Sequence, residues 1–216
     1  MKKSSKYLWL LGLIILLILF FYWLAVNQAT APTNQNYKTT GTAPTKSTVE
    51  NTLAEPIADA LARITKKPFG LKISPKTSPV QPERFSGYHT GTDFETTPEE
   101  QKIDVPIFAI CEGKLILKKI ASGYGGVAVQ ACVINKQNVT IVYGHLRLTS
   151  IIAKLNQTLK AGEQLAVLGT GFSKETDNER KHLHLSIHKG KTITLLGYVQ
   201  NQSQLNQWLD VSTFLK

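Results

Sequence analysis

The sequence is poor in the residues that mark specialised chain types. Two cysteines in 216 residues are too few for a disulfide scaffold, and they do not form a C-x-x-C pair of the metal or redox kind. Fifteen glycines and nine prolines exclude a collagen-like or proline-rich fibre. No repeat recurs at a fixed period, no G-x-S-x-G elbow occurs, and no glycine-rich loop opens a helix as a phosphate cradle would. Acidic residues are scarce, 15 Asp and Glu against 25 Lys and Arg, so the formal charge is +10. That imbalance fits an acidic partner, either nucleic acid or an anionic surface. A chain that is 42% hydrophobic and 19% charged is not wholly disordered, and its length suits about one domain.

What is present begins with a membrane signal. Residues 1–6 form a cationic tail, and residues 7–26 carry no charge. About 20 apolar residues at 1.5 Å each span the roughly 30 Å hydrocarbon core of a bilayer. Tyr7 and Trp9 sit at one end and Tyr22 and Trp23 at the other, where amphipathic rings favour the interface. Lysines before the run place the N-terminus in the cytoplasm and the rest outside it, as a single-pass protein of the cell membrane. Ala29-Thr30-Ala31 also resembles a signal-peptidase site, but the run exceeds the 7–15 residues of a signal core, which favours a retained anchor. Either reading removes the remainder from the cytoplasm and with it a nucleic-acid partner. Residues 27–54 read as a flexible linker, with eight threonines and two prolines in residues 27–52 and no apolar periodicity.

Residues 55–216 read as one folded domain. Ile57, Leu61 and Ile64 share a helical face after Pro56, which predicts a short helix ended by Pro68. Beyond it the texture is β-like. Short apolar runs at 69–73, 107–110, 114–120, 127–134, 139–146, 164–168, 182–188 and 192–199 are cut by glycine or polar turns. Their spacing predicts a mainly β domain, a small antiparallel sheet, sandwich or barrel. Gly123-Tyr124-Gly125-Gly126 lies between two of these runs and reads as a hairpin turn, and only 203–209 and the extreme C-terminus look helical again.

All five histidines fall between positions 89 and 188. His89 and Asp93 stand in H-x-x-x-D spacing; on an extended strand they share a face, where an imidazole and a carboxylate can hold one cation. Lys181-His182-Leu183-His184-Leu185-Ser186-Ile187-His188 alternates cleanly, so the leucines and Ile187 face a core while His182 and His184 point the other way. His188 continues that face roughly 13 Å from His184 and reads as peripheral. Tyr143-Gly144-His145-Leu146 ends a β run in a further histidine. His89, Asp93 and one of His182 or His184 make three ligands, the catalytic zinc arrangement with a water in the fourth place. Two histidines are then left for proton chemistry, which argues for a hydrolase over a structural zinc.

These three motifs, in this order, resemble the lysostaphin/LytM-type zinc endopeptidases that cut peptide cross-links in bacterial peptidoglycan. The resemblance covers about residues 82–190 and includes Val105-Pro106-Ile107-Phe108-Ala109, Gly123-Tyr124-Gly125-Gly126 and Ala161-Gly162-Glu163-Gln164. It implies zinc as cofactor, His89, Asp93 and His184 as its ligands, and His145 and His182 as catalytic histidines. It also implies an antiparallel β fold with the site in a groove floored by a sheet, and the peptide part of peptidoglycan as partner. The alternative from the same resemblance is a non-catalytic wall-binding or hydrolase-activating module; such relatives lack parts of the metal set, whereas all five residues stand here.

Two further expectations come from the residues alone. From Lys66 to Lys216 there are 19 Lys and Arg against 12 Asp and Glu, so the basic surplus belongs to the domain and suits an anionic wall. Cys111 and Cys132 flank the predicted hairpin turn, and a turn centred near residue 122 sets them opposite or one position off. That is within disulfide reach, on the oxidising side of the membrane.

Overall fold

The structure, a computed structural model, describes Phe20 and residues 53–216. The apolar run 7–26, Phe20 apart, and residues 27–52 of the linker lie outside the described residues. Among the described residues no helix is long and apolar enough to cross a membrane. The chain divides into two units, Met1–Thr48 and Val49–Lys216, and every strand among the described residues lies in the second.

The domain is mainly β, with short 3-10 turns between strands. The first strands are β1 (Lys72–Ile73), β2 (Gly87–His89), β3 (Thr92–Glu95) and β4 (Pro106–Phe108). A long hairpin and its neighbour follow: β5 (Gly113–Ala121), β6 (Gly125–Ile134) and β7 (Gln137–Gly144). Then come β8 (Thr158–Leu159), β9 (Gln164–Val167), β10 (His182–Lys189), β11 (Tyr198–Val199) and β12 (Trp208–Leu209). All pairings between them are antiparallel. The main sheet runs β12-β10-β7-β6-β5-β8, and β3 shares with β12 the edge of β10 that β7 leaves open. A smaller sheet runs β1-β2-β11, and β4 pairs with β9.

The alternation in β10 does what its sequence requires. Leu183, Leu185 and Ile187 enter the main core with Ile141 and Tyr143 of β7 and Ala128 of β6. His182, His184, Ser186 and His188 are left on the opposite face, yet they too are buried. Val127, Val129 and Val142 form a second apolar cluster with Tyr124, so the two central strands are covered on both faces. Tyr143 is fully buried and its hydroxyl is satisfied twice, donating to Gln130 Oε1 at 2.9 Å and accepting from the Ile110 amide at 3.0 Å.

Several expectations change in detail. The predicted helix after Pro56 shrinks to one 3-10 turn, Ala60–Arg63, because Asp59 adopts a left-handed backbone (φ 56°) that a helix cannot pass through. Ile57 and Ala60 still reach the core. Of the run 192–199 only Tyr198–Val199 pairs as strand, and the run 203–209 gives the 3-10 turn Gln202–Gln207. His89 and Asp93 do not share one strand. His89 closes β2 in the small sheet and Asp93 lies in β3 of the main sheet, so the H-x-x-x-D segment crosses between sheets. Gly91 makes that crossing: a Cβ there would lie 2.6 Å from the Leu185 carbonyl oxygen and 2.7 Å from His184 Nε2.

Cys111 and Cys132 are joined in a disulfide, but not by the register expected. Ala121 pairs with Gly125, so the turn is centred on residue 123, and a bulge between Leu115 and Leu117 moves the register once more. Cys132 therefore faces Gly113, two positions beyond Cys111. Gly113 leaves the opening the bond uses, since a Cβ there would come within 2.7 Å of Cys132 Sγ. The loop so closed, with a sequence separation of 21, is expected to contribute about 3 kcal/mol to stability. Unreduced, unfolded protein should accordingly take up no alkylating reagent, and two thiols should appear after reduction, by intact mass.

Candidate metal centre and catalytic cleft

Four strands deliver the site. The register of β3 on β10 sets Asp93 beside His184 and Glu95 beside His182. On the other edge of β10, Gly144 of β7 faces His184, and His145 follows it directly. His89 arrives from the small sheet at the end of β2. All five predicted site residues are thereby brought together, each at least 95% buried.

His89 Nε2, Asp93 Oδ1 and His184 Nδ1 close a triangle. His184 Nδ1 lies 3.1 Å from Asp93 Oδ1 and 3.1 Å from His89 Nε2, and His89 Nε2 lies 3.4 Å from Asp93 Oδ1. The His89 ring hydrogen is committed elsewhere. His89 Nδ1 faces the Pro68 carbonyl at 3.2 Å, so it carries the hydrogen and Nε2 is a bare lone pair. His184 Nε2 has no partner, and burial lowers the His184 pKa to about 4, so the ring is neutral, and a cation among the three atoms would favour the tautomer with its lone pair on Nδ1. Burial opposes ionisation of Asp93, yet the surrounding imidazoles, His182 foremost, hold it well below the usual carboxylate range. His89 Nε2, His184 Nδ1 and one Asp93 oxygen thus converge as three possible ligand atoms on one point. Tetrahedral zinc with ligands at 2.0–2.1 Å needs donors about 3.3 Å apart, and the set fits.

The other two histidines flank this triangle. His145 Nδ1 lies 3.2 Å from the Thr176 carbonyl and donates to it, which leaves Nε2 as acceptor. Burial, then His182, push its pKa well below the ordinary histidine value, so the ring is neutral. Its backbone is left-handed (φ 62°), locked by His145 N to Tyr124 O at 3.1 Å and Gly169 N to His145 O at 2.8 Å. Such strain in a non-glycine residue persists only where its surroundings fix it. His182 Nδ1 donates to the Arg180 carbonyl at 2.9 Å, and Nε2 lies 3.3 Å from Asp93 Oδ2. The His145 and His182 rings stand 4.2 Å apart between centroids. His188 is separate: its ring packs edge-on against Trp208 at 4.9 Å, as its peripheral reading implied.

A cleft of about 300 Å³ opens over Asp93, His145, His182 and His184. Its floor needs glycine at 144, where a Cβ would meet Tyr124 Cδ1 at 2.5 Å and His184 Cβ at 3.4 Å. Sequence reasoning missed four residues here. Arg180 Nη2 donates to Asp93 Oδ2 at 2.9 Å and its guanidinium also grips Glu95, which turns Oδ1 towards the imidazoles. Tyr124, Tyr198 and Lys67 line the walls. Arg180 could have been found from its place two residues before His182, on the same face of an extending strand. Lys67 and Tyr198 carry no such signal.

The sequence profile described as Peptidase family M23 matches residues 87–196, about half of the chain. No curated protein matches it. Among solved structures, Csd3 of Helicobacter pylori is 21% identical over 69% of this chain and 35% of its own, with a TM-score of 0.44. A zinc-containing peptidase from Vibrio cholerae is 23% identical over 75% of this chain and 40% of its own, with a TM-score of 0.44. LytU is 26% identical over 71% of this chain and 90% of its own, with a TM-score of 0.46. The chain thus spans well under half the length of the first two.

Proposed function

The chain belongs to peptidase family M23, and on that premise we propose that it is a zinc-dependent endopeptidase hydrolysing peptide cross-links or stem peptides of bacterial peptidoglycan. The observation that carries this reading is the triangle of His89 Nε2, Asp93 Oδ1 and His184 Nδ1, closed to 3.1–3.4 Å with two further imidazoles beside it. Zinc held by these residues supplies an activated water near neutral pH and polarises the scissile carbonyl.

The remaining steps fall to the chain itself. His145, neutral and with its lone pair on Nε2, is suited to take a proton from the attacking water. His182, whose Nε2 lies 3.3 Å from Asp93 Oδ2, is suited to pass a proton to the leaving amine once it has taken one up. Arg180 keeps the second carboxylate oxygen occupied, so that Asp93 offers one oxygen to the metal. A cleft floored by a sheet suits an extended peptide, and the basic domain suits an anionic wall.

In this reading residues 7–26 anchor the protein in the cell membrane, residues 1–6 lie in the cytoplasm, and the linker, whose last two residues Leu53 and Ala54 are hydrogen-bonded to the domain, lets the domain reach the wall. Full-length protein in detergent is expected to carry one equivalent of zinc and to release new amino termini from purified sacculi, with a chelator abolishing the release. A folded, metal-free protein that binds sacculi without cutting them would replace this reading with the wall-binding or hydrolase-activating module. Before solubilisation the protein should stay in membranes through alkaline washing; a soluble form beginning near Ala31 would mean cleavage.

A further inference from the structure

Lys67 and Glu83 precede the span matched to the family and Tyr198 follows it, yet Lys67 and Tyr198 line the cleft that holds Asp93, His145, His182 and His184. Glu83 is fully satisfied. Its carboxylate accepts from Lys67 Nζ, from Ser78 Oγ at 2.9 Å, and from the backbone amides of Arg84 and Phe85 at 2.9 Å each. Lys67 is 3% exposed, and besides Glu83 its ammonium donates to the Tyr198 hydroxyl at 3.3 Å. The phenol ring is fixed as well, stacked on His89 with centroids 5.2 Å apart and on Phe85 at 5.5 Å. Pairing of β11 with β2 sets Tyr198 directly opposite His89.

The donors here exceed the acceptors. An ammonium has three hydrogens, and Lys67 spends two. The Tyr198 oxygen receives one of them, and its own hydrogen has no acceptor among the described residues. Tyr198 is half-buried in the wall of the cleft, so an acceptor on a ligand can take the place of water at its hydroxyl. The charge of these donors says which ligand. Glu83 cancels Lys67, so the pair offers hydrogens with no net charge and fits a neutral acceptor such as an amide carbonyl better than a carboxylate or phosphate. The ammonium also polarises the phenol and strengthens it as a donor.

We propose that Tyr198, supported by Lys67, anchors the substrate by donating its hydroxyl hydrogen to a backbone carbonyl of the peptide lying in the cleft. This rests on the endopeptidase reading and adds to it a specificity-determining residue outside the family motifs. Tyr198→Phe tests it, because it removes one oxygen and keeps the ring stacked on His89 and Phe85. The probe is a set of cross-linked muropeptides released from sacculi by a muramidase, titrated calorimetrically into chelator-stripped full-length protein. Tyr198→Phe should bind them about tenfold more weakly than the wild type, the value of one polarised hydrogen bond. In the zinc-loaded protein the same factor should fall on KM. The paired change Lys67→Gln with Glu83→Gln, which leaves no buried charge alone, should weaken binding about threefold, since the hydroxyl remains but is less polarised.

Equal affinity of Tyr198→Phe and wild type would overturn the inference while leaving the endopeptidase reading intact. A loss confined to kcat would overturn the anchoring role too, by moving the hydrogen bond to the transition state. A wild type that neither binds nor cuts these peptides would remove the endopeptidase reading and the inference together.

Discussion

The His184→Ala variant is expected to lose bound zinc and peptidase activity together. His184 Nδ1 closes two sides of the donor triangle, each at 3.1 Å, and without it only His89 and Asp93 remain, 3.4 Å apart. Two ligands from a three-ligand site hold the ion weakly, and a fall in affinity on the order of 10³-fold follows from the binding energy each ligand shares. The fold should survive. Residue 184 pairs through its main chain with Asp93 on one edge and Gly144 on the other, and neither pairing needs the ring. Metal analysis after dialysis, with circular dichroism as a control, separates ligand loss from unfolding. Full zinc retention would show that this strand's ligand is misassigned.

Replacing His145 should do the reverse: zinc stays and the rate falls by about 10²–10⁴-fold, the range for a general acid or base. Its nearest ring is that of His182, and its Nδ1 is bound to the Thr176 carbonyl rather than to any of the three donors. The substitution must respect the left-handed backbone at this position (φ 62°), where most side chains are strained. Asparagine tolerates that conformation and alanine does not, so His145→Asn is the better variant, with His145→Ala as its partner. Single-turnover rates on sacculi with equal zinc in both proteins give the comparison. Activity within a few-fold of wild type would remove His145 from the chemistry.

The parts of this site that were legible in the sequence are those governed by local periodicity. His182 and His184 could be set on one face because β10 alternates with period two and its leucines have a core to fill. H-x-x-x-D was legible as a pair but not as a shape: Asp93 and His89 meet because the chain passes between two sheets at Gly91, and nothing in five residues announces two sheets. The helix after Pro56 fails on one backbone angle at Asp59 that apolar spacing does not encode. The disulfide was expected for an inexact reason, since the bulge near Leu115 cannot be read from an index sum. Arg180 and Tyr198 act through partners far away in the chain, 87 residues from Asp93 in one case and 131 from Lys67 in the other. Contacts of that range belong to topology, and single-sequence reasoning reaches them only through a known fold.

Gly144 gives the cleft an unusual tolerance map. Any side chain there would press on Tyr124 and crowd His184, so this position, which carries no chemistry, should be as intolerant of change as the histidines themselves. The rim is different. Leu196 is 52% exposed, and its replacement disturbs little that is packed. Directed evolution towards a new peptide bond therefore has its free letters at the rim and its fixed ones in the sheet beneath, and a library that randomises Tyr143–His145 at the end of β7 would consist mostly of proteins without a floor.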